Sequence, residues 1–197
     1  EARDLLTVGK EYTAVTYNIG FGAYRPDFSF FMDGGKSSWA KSKESVIEAV
    51  KGAGEEMLSL SPDFALVQEI DLNSTRSYHV EYALLKEDFV SYYTVFAQNY
   101  DSAFLFYPFT QPHGRSRSGI GVFSRYPIKE ALRRSFPIST SFSKFFDLDR
   151  CYSISRVPVE NGKELVIFAL HMSAYGNSDE IRKGQIDMLC ADMQKEY

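Results

Sequence analysis

The stretch from Pro62 to Ile70 reads PDFALVQEI and predicts a buried β-strand that starts directly after a turn signal. Upstream, Tyr12 to Ile19 (YTAVTYNI) is rich in β-branched and aromatic residues and predicts a first strand. Between the two strands, apolar residues recur at the spacing of one buried helical face: Val46, Ile47, Val50, Ala53, Met57 and Leu58. Because a strand–helix–strand unit normally places its two strands side by side and parallel, we predict that these two strands are parallel neighbours.

Later segments predict three more strands and a second helix. Ser118 to Ser124 (SGIGVFS) reads as a strand that Tyr126-Pro127 closes. The segments 152–159 and 164–170 form a strand pair whose connection contains Asn161-Gly162, a strong hairpin signal. The segment 179–193 is predicted to be helical, with its packing positions at Ile181, Ile186, Met188, Leu189 and Met193.

The composition is that of one ordinary globular domain of 197 residues. A net charge of -4 argues against a protein that grips nucleic acid through bulk positive charge, so no tight nucleic-acid partner is expected. Cys151 and Cys190 fit neither a zinc site nor a disulfide framework and are expected to be buried free thiols. Two aromatic clusters, Phe28 to Phe31 and Phe104 to Pro108, are expected to pack long loops onto the body of the protein.

Two polar residues lie near the carboxyl ends of the predicted parallel strands, Asn18 on the first and Glu69 on the second. Parallel neighbours bring these ends to the same sheet edge, where open α/β sheets usually bind their ligands. A carboxylate beside an amide oxygen is a reasonable start for a Mg²⁺ site, because hard cations take oxygen ligands and keep several waters. The alternative is that Asn18 caps a turn and Glu69 is a solvated strand end.

A third strand, Leu165 to Leu170, ends in His171. A histidine at a strand terminus could hydrogen-bond a phosphate oxygen or serve as a general acid. A structural histidine is the alternative, but three strands that end in Asn, Glu and His together favour a catalytic site.

Four short motifs occur in order along the chain: Tyr17-Asn18-Ile19, Gln68-Glu69-Ile70, the segment 118–128 (SGIGVFSRYPI), and Ala169-Leu170-His171. Their content, order and spacing resemble the endonuclease/exonuclease/phosphatase superfamily, the deoxyribonuclease I-like phosphoesterases. The resemblance implies an α/β fold, a four-layer α/β/β/α sandwich with two mixed β-sheets. It also implies that Asn18 and Glu69 serve a Mg²⁺ or Mn²⁺ centre, that His171 contacts the scissile phosphate, and that a carboxylate-assisted water attacks phosphorus.

The resemblance is incomplete towards the C-terminus. The superfamily pattern continues with a Gly-Asp-x-Asn motif and a terminal Asp-His pair, and neither occurs after His171. We therefore expect residues 12–197 to be the N-terminal portion of one such domain, preceded by an N-terminal extension at residues 1–11. A chain without the later motifs is expected to be a poor catalyst, and its missing strands are expected to leave sheet edges open to self-association.

Three further residues are candidates for substrate binding: Arg76 and His79 on the segment after Glu69, and Arg150 before a late strand. The expected substrate is a phosphoester, and nucleic acid, a nucleotide, an inositol phosphate or a phospholipid head group all remain open. The alternative function is a non-catalytic module that binds a ligand or partner on the same scaffold. The missing initial Met, the aromatic-rich loops and the resemblance to the superfamily also suggest an extracytoplasmic domain of a membrane-anchored bacterial protein.

Overall fold

A computed structural model of the chain describes residues 5–31, 34–136, 150–172 and 179–197. In these ranges the elements follow one another as β1 (Ala14–Asn18), α1 (Lys43–Ser59), β2 (Phe64–Asp71), α2 (Glu81–Asp88), β3 (Tyr93–Leu105), β4 (Gly114–Ser124), β5 (Glu130–Ser135), β6 (Cys151–Pro158), β7 (Glu164–Leu170) and α3 (Asp179–Glu196). None of the helices in these ranges is long and apolar enough to cross a bilayer.

The first sheet has the strand order β1-β2-β4-β3. Strands β1 and β2 pair in parallel from Ala14 opposite Phe64 to Asn18 opposite Gln68, which confirms the predicted parallel neighbours. Helix α1, which connects them, starts at a capping box in which the Ser42 hydroxyl accepts a hydrogen bond from the Ser45 amide. The predicted face of α1 packs on this sheet and buries Val46, Val50 and Met57 together with Ala65, Val67 and Phe123.

The second sheet has the order β5-β6-β7, and its described strands are all antiparallel. Strands β6 and β7 form the predicted hairpin, and Gly162 in the connection has φ +80°, a conformation that glycine adopts without steric cost. Helix α3 covers the outer face of this sheet, where Met188 and Leu189 pack against Tyr152 and Ile154.

The two sheets face each other through small and medium apolar side chains. Ala97, Ile120 and Val122 of the first sheet form one cluster with Cys151 and Ala169 of the second. Since α1 and α2 lie outside the first sheet and α3 outside the second, the order of layers is α/β/β/α. The predicted four-layer fold is confirmed, with a mixed first sheet.

Helix α3 packs two of its predicted positions, Met188 and Leu189, on the sheet, but not Ile186 and Met193. Its buried positions are Gln185 and Asp192, while Ile186 and Met193 are exposed. Asp192 is held by Tyr152, whose hydroxyl donates to the carboxylate, and by Arg134 at 3.0 Å. The hydrogen bonds from Tyr152 and then Lys195, together with the charge of Arg134, lower the pKa of Asp192 to about 2. The prediction for Ile186 and Met193 was wrong because Tyr152 and Arg134 bind Asp192, so the helix face that contains Gln185 and Asp192 lies against the sheet.

Three further expectations need correction or extension. Cys151 is buried as predicted, but Cys190 is exposed on α3. The aromatic cluster 28–31 packs on the core, whereas Phe104, Phe106 and Tyr107 are exposed, so the packing prediction fails for the second cluster. Residues 1–4 of the predicted extension lie outside the described residues, and Leu6 is buried and pairs with Val159 beside the second sheet.

Candidate functional site

Asn18 and Glu69 lie at the same edge of the first sheet because β1 and β2 are parallel. Asn18 pairs with Gln68, the residue before Glu69. The Asn18 side-chain oxygen accepts a hydrogen bond from the Gly20 amide at 2.9 Å, which is the turn-capping contact expected if Asn18 has a structural role. This oxygen keeps a second lone pair, and Asn18 is exposed, so the turn contact leaves room for a ligand.

Glu69 occupies a β-bulge in β2. Val67 lies opposite Gly121 and Ile70 opposite Gly119, so Gln68 and Glu69 together face Ile120 alone. The backbone of Glu69 has φ +55°, a left-handed conformation that is uncommon for a residue with a side chain. Bulges re-aim side chains and occur often beside active sites. Here the bulge brings the carboxylate to the second sheet, where Glu69 Oε1 lies 3.5 Å from His171 Nε2.

His171 follows the last residue of β7 and joins Glu69 to Arg150. Arg150 Nη1 lies 3.0 Å from His171 Nδ1. Since a guanidinium can only donate, Nδ1 must accept, and the proton of a neutral ring is on Nε2, which faces Glu69. The three side chains therefore form one line across the gap between the two sheets, which we call the Arg150–His171–Glu69 line.

The charge on His171 is set by its surroundings. Burial lowers the pKa of His171, the neighbouring Arg150 guanidinium lowers it further, and the Glu69 carboxylate opposes both. The neutral ring is thus favoured, and its Nε2–H can donate a hydrogen bond to an anionic ligand in the cleft.

Arg76 and His79 lie on the segment after β2, but outside this line. Arg76 is buried and donates two hydrogen bonds to the Asp71 carboxylate, each at 2.9 Å. Its guanidinium carbon also lies 3.8 Å from the centre of the Phe21 ring. These contacts give Arg76 an internal role, and the substrate role predicted for it has no support from its position.

His79 is exposed, and its Nδ1 meets the Asn73 side-chain oxygen. This contact joins the imidazole to a neighbour on the same loop rather than to the Arg150–His171–Glu69 line. The substrate role of His79 stays a prediction.

The buried charge cluster around Arg76 was not predicted from the sequence. Besides Asp71, the Glu81 carboxylate at the start of α2 lies near this guanidinium and is buried. Burial raises the pKa of Glu81 well above its usual value, and the Asp71 carboxylate raises it further. The sequence offered one signal for this cluster: Asp71, Arg76 and Glu81 are spaced five residues apart, close enough for a short loop to bring Arg76 back to Asp71.

The oxygen atoms at this edge supply part of the ligand set of a hard cation. Glu69 offers one carboxylate at the edge, and Asn18 offers one amide oxygen. Within the described ranges there is no group of three or more His, Cys, Asp and Glu side chains that could hold a metal. Mg²⁺ is commonly bound through one or two carboxylates, with waters and substrate phosphates as the other ligands, so these two residues fit such an ion as part of its coordination.

Comparisons with known proteins agree with this architecture. A sequence profile of the Endonuclease/Exonuclease/phosphatase family matches residues 15–191. No curated protein matches the sequence. Among solved structures, an endonuclease/exonuclease/phosphatase from Beutenbergia cavernae DSM 12333 is 20% identical, with a TM-score of 0.60 over 91% of this chain and 43% of that chain.

Two other solved structures are similar in fold. ANGEL2, a 2',3'-cyclic phosphatase, is 13% identical, with a TM-score of 0.62 over 93% of this chain and 47% of that one. A family protein from Leptotrichia buccalis C-1013-b is 14% identical, with a TM-score of 0.55 over 92% of this chain and 61% of that one. This chain thus spans between 43% and 61% of the length of these three proteins. By its profile match over most of its length, the chain belongs to the endonuclease/exonuclease/phosphatase family.

Proposed function

We propose that this chain carries part of the active site of a divalent-metal-dependent phosphoester hydrolase, a phosphodiesterase or phosphatase that uses water attack on phosphorus. The observation that carries the proposal is the Arg150–His171–Glu69 line, with separations of 3.0 and 3.5 Å. It lies at the edge where β1 and β2 end, which is the usual ligand position of open α/β sheets. Membership of the family supports a scaffold of the phosphoesterase type.

In this proposal His171 binds the phosphate as a neutral hydrogen-bond donor. Its Nε2–H would turn from Glu69 to a phosphoryl oxygen, and the 3.5 Å separation means that the existing contact is weak. Arg150 holds the other ring nitrogen and adds positive charge beside the developing negative charge. Arg150 is therefore both a positioning residue for His171 and a candidate contact for phosphate.

Glu69 would hold Mg²⁺ or Mn²⁺, with Asn18 as the neighbouring oxygen donor. Such an ion polarises phosphoryl oxygens and stabilises the leaving oxygen. The left-handed backbone at Glu69 supports this role, because strained conformations of this kind concentrate at functional sites.

The substrate is proposed only as a phosphoester: nucleic acid, a nucleotide, an inositol phosphate or a phospholipid head group. The net charge of -4 is the reason for expecting no tight grip on long nucleic acid. Self-association through the open edge of β1, whose residues Ala14, Thr16 and Asn18 are exposed, is a further proposal.

Metal binding tests the role of Glu69 without any need for turnover. Free Mn²⁺ is measured by electron paramagnetic resonance while the wild-type chain, Glu69→Gln or Glu87→Gln is added. Glu87 is an exposed residue of α2 and serves as the control for the same chemical change. We expect Glu69→Gln to weaken Mn²⁺ binding about tenfold or more and Glu87→Gln to leave it unchanged. Equal affinities for all three proteins would exclude Glu69 as the metal ligand.

Activity is then measured on bis-p-nitrophenyl phosphate and p-nitrophenyl phosphate, with the 197-residue chain and with the reading frame extended past Tyr197. We expect slow turnover in the shorter chain, faster metal-dependent turnover in the extended one, and a loss of about 10²-fold or more on His171→Ala. If the extended protein folds and binds Mn²⁺ but hydrolyses neither compound nor a panel of natural phosphoesters, the binding-module function is favoured instead.

A further inference from the structure

Strands β3 and β4 extend beyond the edge that carries the site. They pair from Tyr93 opposite Ser124 to Leu105 opposite Gly114, whereas β2 pairs with β4 only as far as Asp71 opposite Ser118. The hairpin therefore continues for four residues of β4 past the last residue of β2. At about 3.3 Å per residue, the turn between β3 and β4 lies roughly 13 Å beyond this edge.

Four aromatic side chains at this turn are exposed, and we call them the aromatic tip. Their exposed fractions are 52% for Phe104, 70% for Phe106, 51% for Tyr107 and 86% for Phe109. The rings meet in pairs, Phe104 with Phe106 and Tyr107 with Phe109. Exposed aromatics grouped in this way mark an interaction surface, because single scattered apolar residues are the ordinary case.

The base of the aromatic tip is fixed to the body of the protein. The buried His113 donates from Nδ1 to the Ser38 carbonyl at 3.1 Å and accepts at Nε2 from the Ser116 hydroxyl at 3.0 Å. The Trp39 indole nitrogen donates to the Pro112 carbonyl at 2.8 Å. These hydrogen bonds fix the backbone beneath the exposed rings, which reduces the conformational entropy that the turn would lose on binding.

The hairpin end is positively charged within an acidic protein. Residues 102–117 contain two arginines and no acidic residue, although the whole chain has a net charge of -4. Arg117 pairs with Asp101 and Gln98, while Arg115 is exposed beside the turn. Aromatic side chains with a basic flank match the interface of an anionic bilayer, where rings sit at head-group level and cations meet negative charge.

We propose that the aromatic tip binds the surface of an anionic phospholipid membrane. The same residue types also occur in sites that stack single-stranded nucleic acid, but those sites present open ring faces along a basic groove. Here the paired rings are inclined at 59° and 82° to each other, at the end of a projecting hairpin. This geometry favours insertion into a lipid interface. The proposal goes beyond phosphoester hydrolysis and does not depend on it.

Vesicle sedimentation tests the proposal directly. The chain is mixed with vesicles of phosphatidylcholine containing phosphatidylglycerol, or of phosphatidylcholine alone, and the bound fraction is measured. We expect wild type to sediment with the anionic vesicles and Phe106→Ser/Phe109→Ser to bind about tenfold more weakly or worse, because two large apolar side chains are lost from the interface. We expect Arg115→Gln to reduce binding to the anionic vesicles about fivefold, because one basic residue near such a surface contributes about 1 kcal/mol.

Two control variants show whether vesicle binding is specific to the aromatic tip. Val90→Ser removes an apolar residue that is 83% exposed and lies three residues before β3 begins, away from the aromatic tip, and this variant should bind vesicles like wild type. Glu69→Gln should also bind normally, so a failure of the proposed catalysis is distinguishable from a failure of the membrane proposal. Where the double variant does not fold, as judged by thermal unfolding, Phe109→Ser alone carries the test.

Three results would overturn the proposal. The first is that wild type does not sediment with anionic vesicles. The second is that the tip variant binds them as strongly as wild type does. The third is that substitution at the tip abolishes dimerisation in sedimentation velocity, or binding to a single-stranded oligonucleotide, without any effect on vesicle binding.

Discussion

Replacing Arg76 by methionine tests whether the buried ion pair beside the candidate site stabilises the fold. The substitution removes two hydrogen bonds to Asp71, each 2.9 Å long, and the contact with the Phe21 ring. Methionine keeps much of the side-chain volume, so the main effect is electrostatic. The Asp71 carboxylate would remain buried, with the Ser77 hydroxyl as its donor and Glu81 nearby.

The expected loss is large because one charge of a buried pair is left without its partner. Removal of one partner from such a pair typically costs about 3–5 kcal/mol. Total stabilities of domains are only about 5–15 kcal/mol, so the variant should unfold at a much lower urea concentration. The matched control is Arg25→Met, which breaks a surface pair with Glu48 of the same 2.9 Å length and should cost less than about 1 kcal/mol.

A second substitution separates the stranded charge from a simple loss of packing. Adding Asp71→Asn to Arg76→Met removes the unpaired carboxylate, so the double variant should recover about 1 kcal/mol or more relative to Arg76→Met. Equilibrium urea unfolding at neutral pH measures all four proteins. The reasoning is refuted if Arg76→Met costs no more than Arg25→Met, or if Asp71→Asn brings no recovery.

Three more predictions concern groups inside the fold. Burial lowers the pKa of His113 to about 4, so between about pH 6.5 and 4 the unfolded chain binds a proton that the folded chain does not. The free energy of unfolding should therefore fall by about 3 kcal/mol over this pH range. In urea unfolding His113→Gln should lose this dependence on pH, and an unchanged dependence would contradict the prediction. The raised pKa of Glu81 makes stability depend on pH in the opposite direction, because the folded chain binds the extra proton and the free energy of unfolding falls as the pH rises above 4.5. Glu81→Gln should therefore be at least as stable as wild type at pH 7 and less sensitive to pH, and a less stable variant would show that the charged form is needed. A Cβ at Gly119 would lie 2.2 Å from the Ala97 carbonyl oxygen, whereas one at Gly121 would meet side-chain atoms, the end of Ile70 at 2.7 Å and the Phe123 ring at 3.1 Å. Because side chains yield more easily than backbone, Gly119→Ala should cost about 3 kcal/mol or more in thermal or urea unfolding and Gly121→Ala clearly less.

The strand–helix–strand unit and the β6–β7 hairpin could be predicted because their patterns are local. Strand β2 is a short apolar run after a turn signal, and Asn161-Gly162 specifies a tight connection. The positions of Asn18 and Glu69 followed from the rule that parallel strands end at one edge, and His171 was placed only at the end of its own strand. Arg150 was ranked as a candidate from its place before a strand, and the structure puts it 3.0 Å from His171.

Other features depend on partners far along the chain and could not be read from local patterns. The burial of Arg76 could not be predicted, because nothing in its own segment shows the Phe21 ring on which it lies. The face of α3 was predicted only in part, because Asp192 is buried by hydrogen bonds from Tyr152 and Arg134 on the sheet that the helix covers. The long strand β3 was not predicted, and its exposed aromatic end was mistaken for loop packing.

The bulge in β2 shows that Glu69 is a surplus residue within its strand. Val67 and Ile70 both face the helices, three positions apart, so deletion of Glu69 would restore a regular alternation and keep the same side chains in the core. It would also remove a left-handed backbone that costs about 1–3 kcal/mol. A protein shortened at this one position would therefore be a sound scaffold without the carboxylate that faces His171. In β2 the residue that we propose as the metal ligand is an insertion that the fold tolerates and does not require.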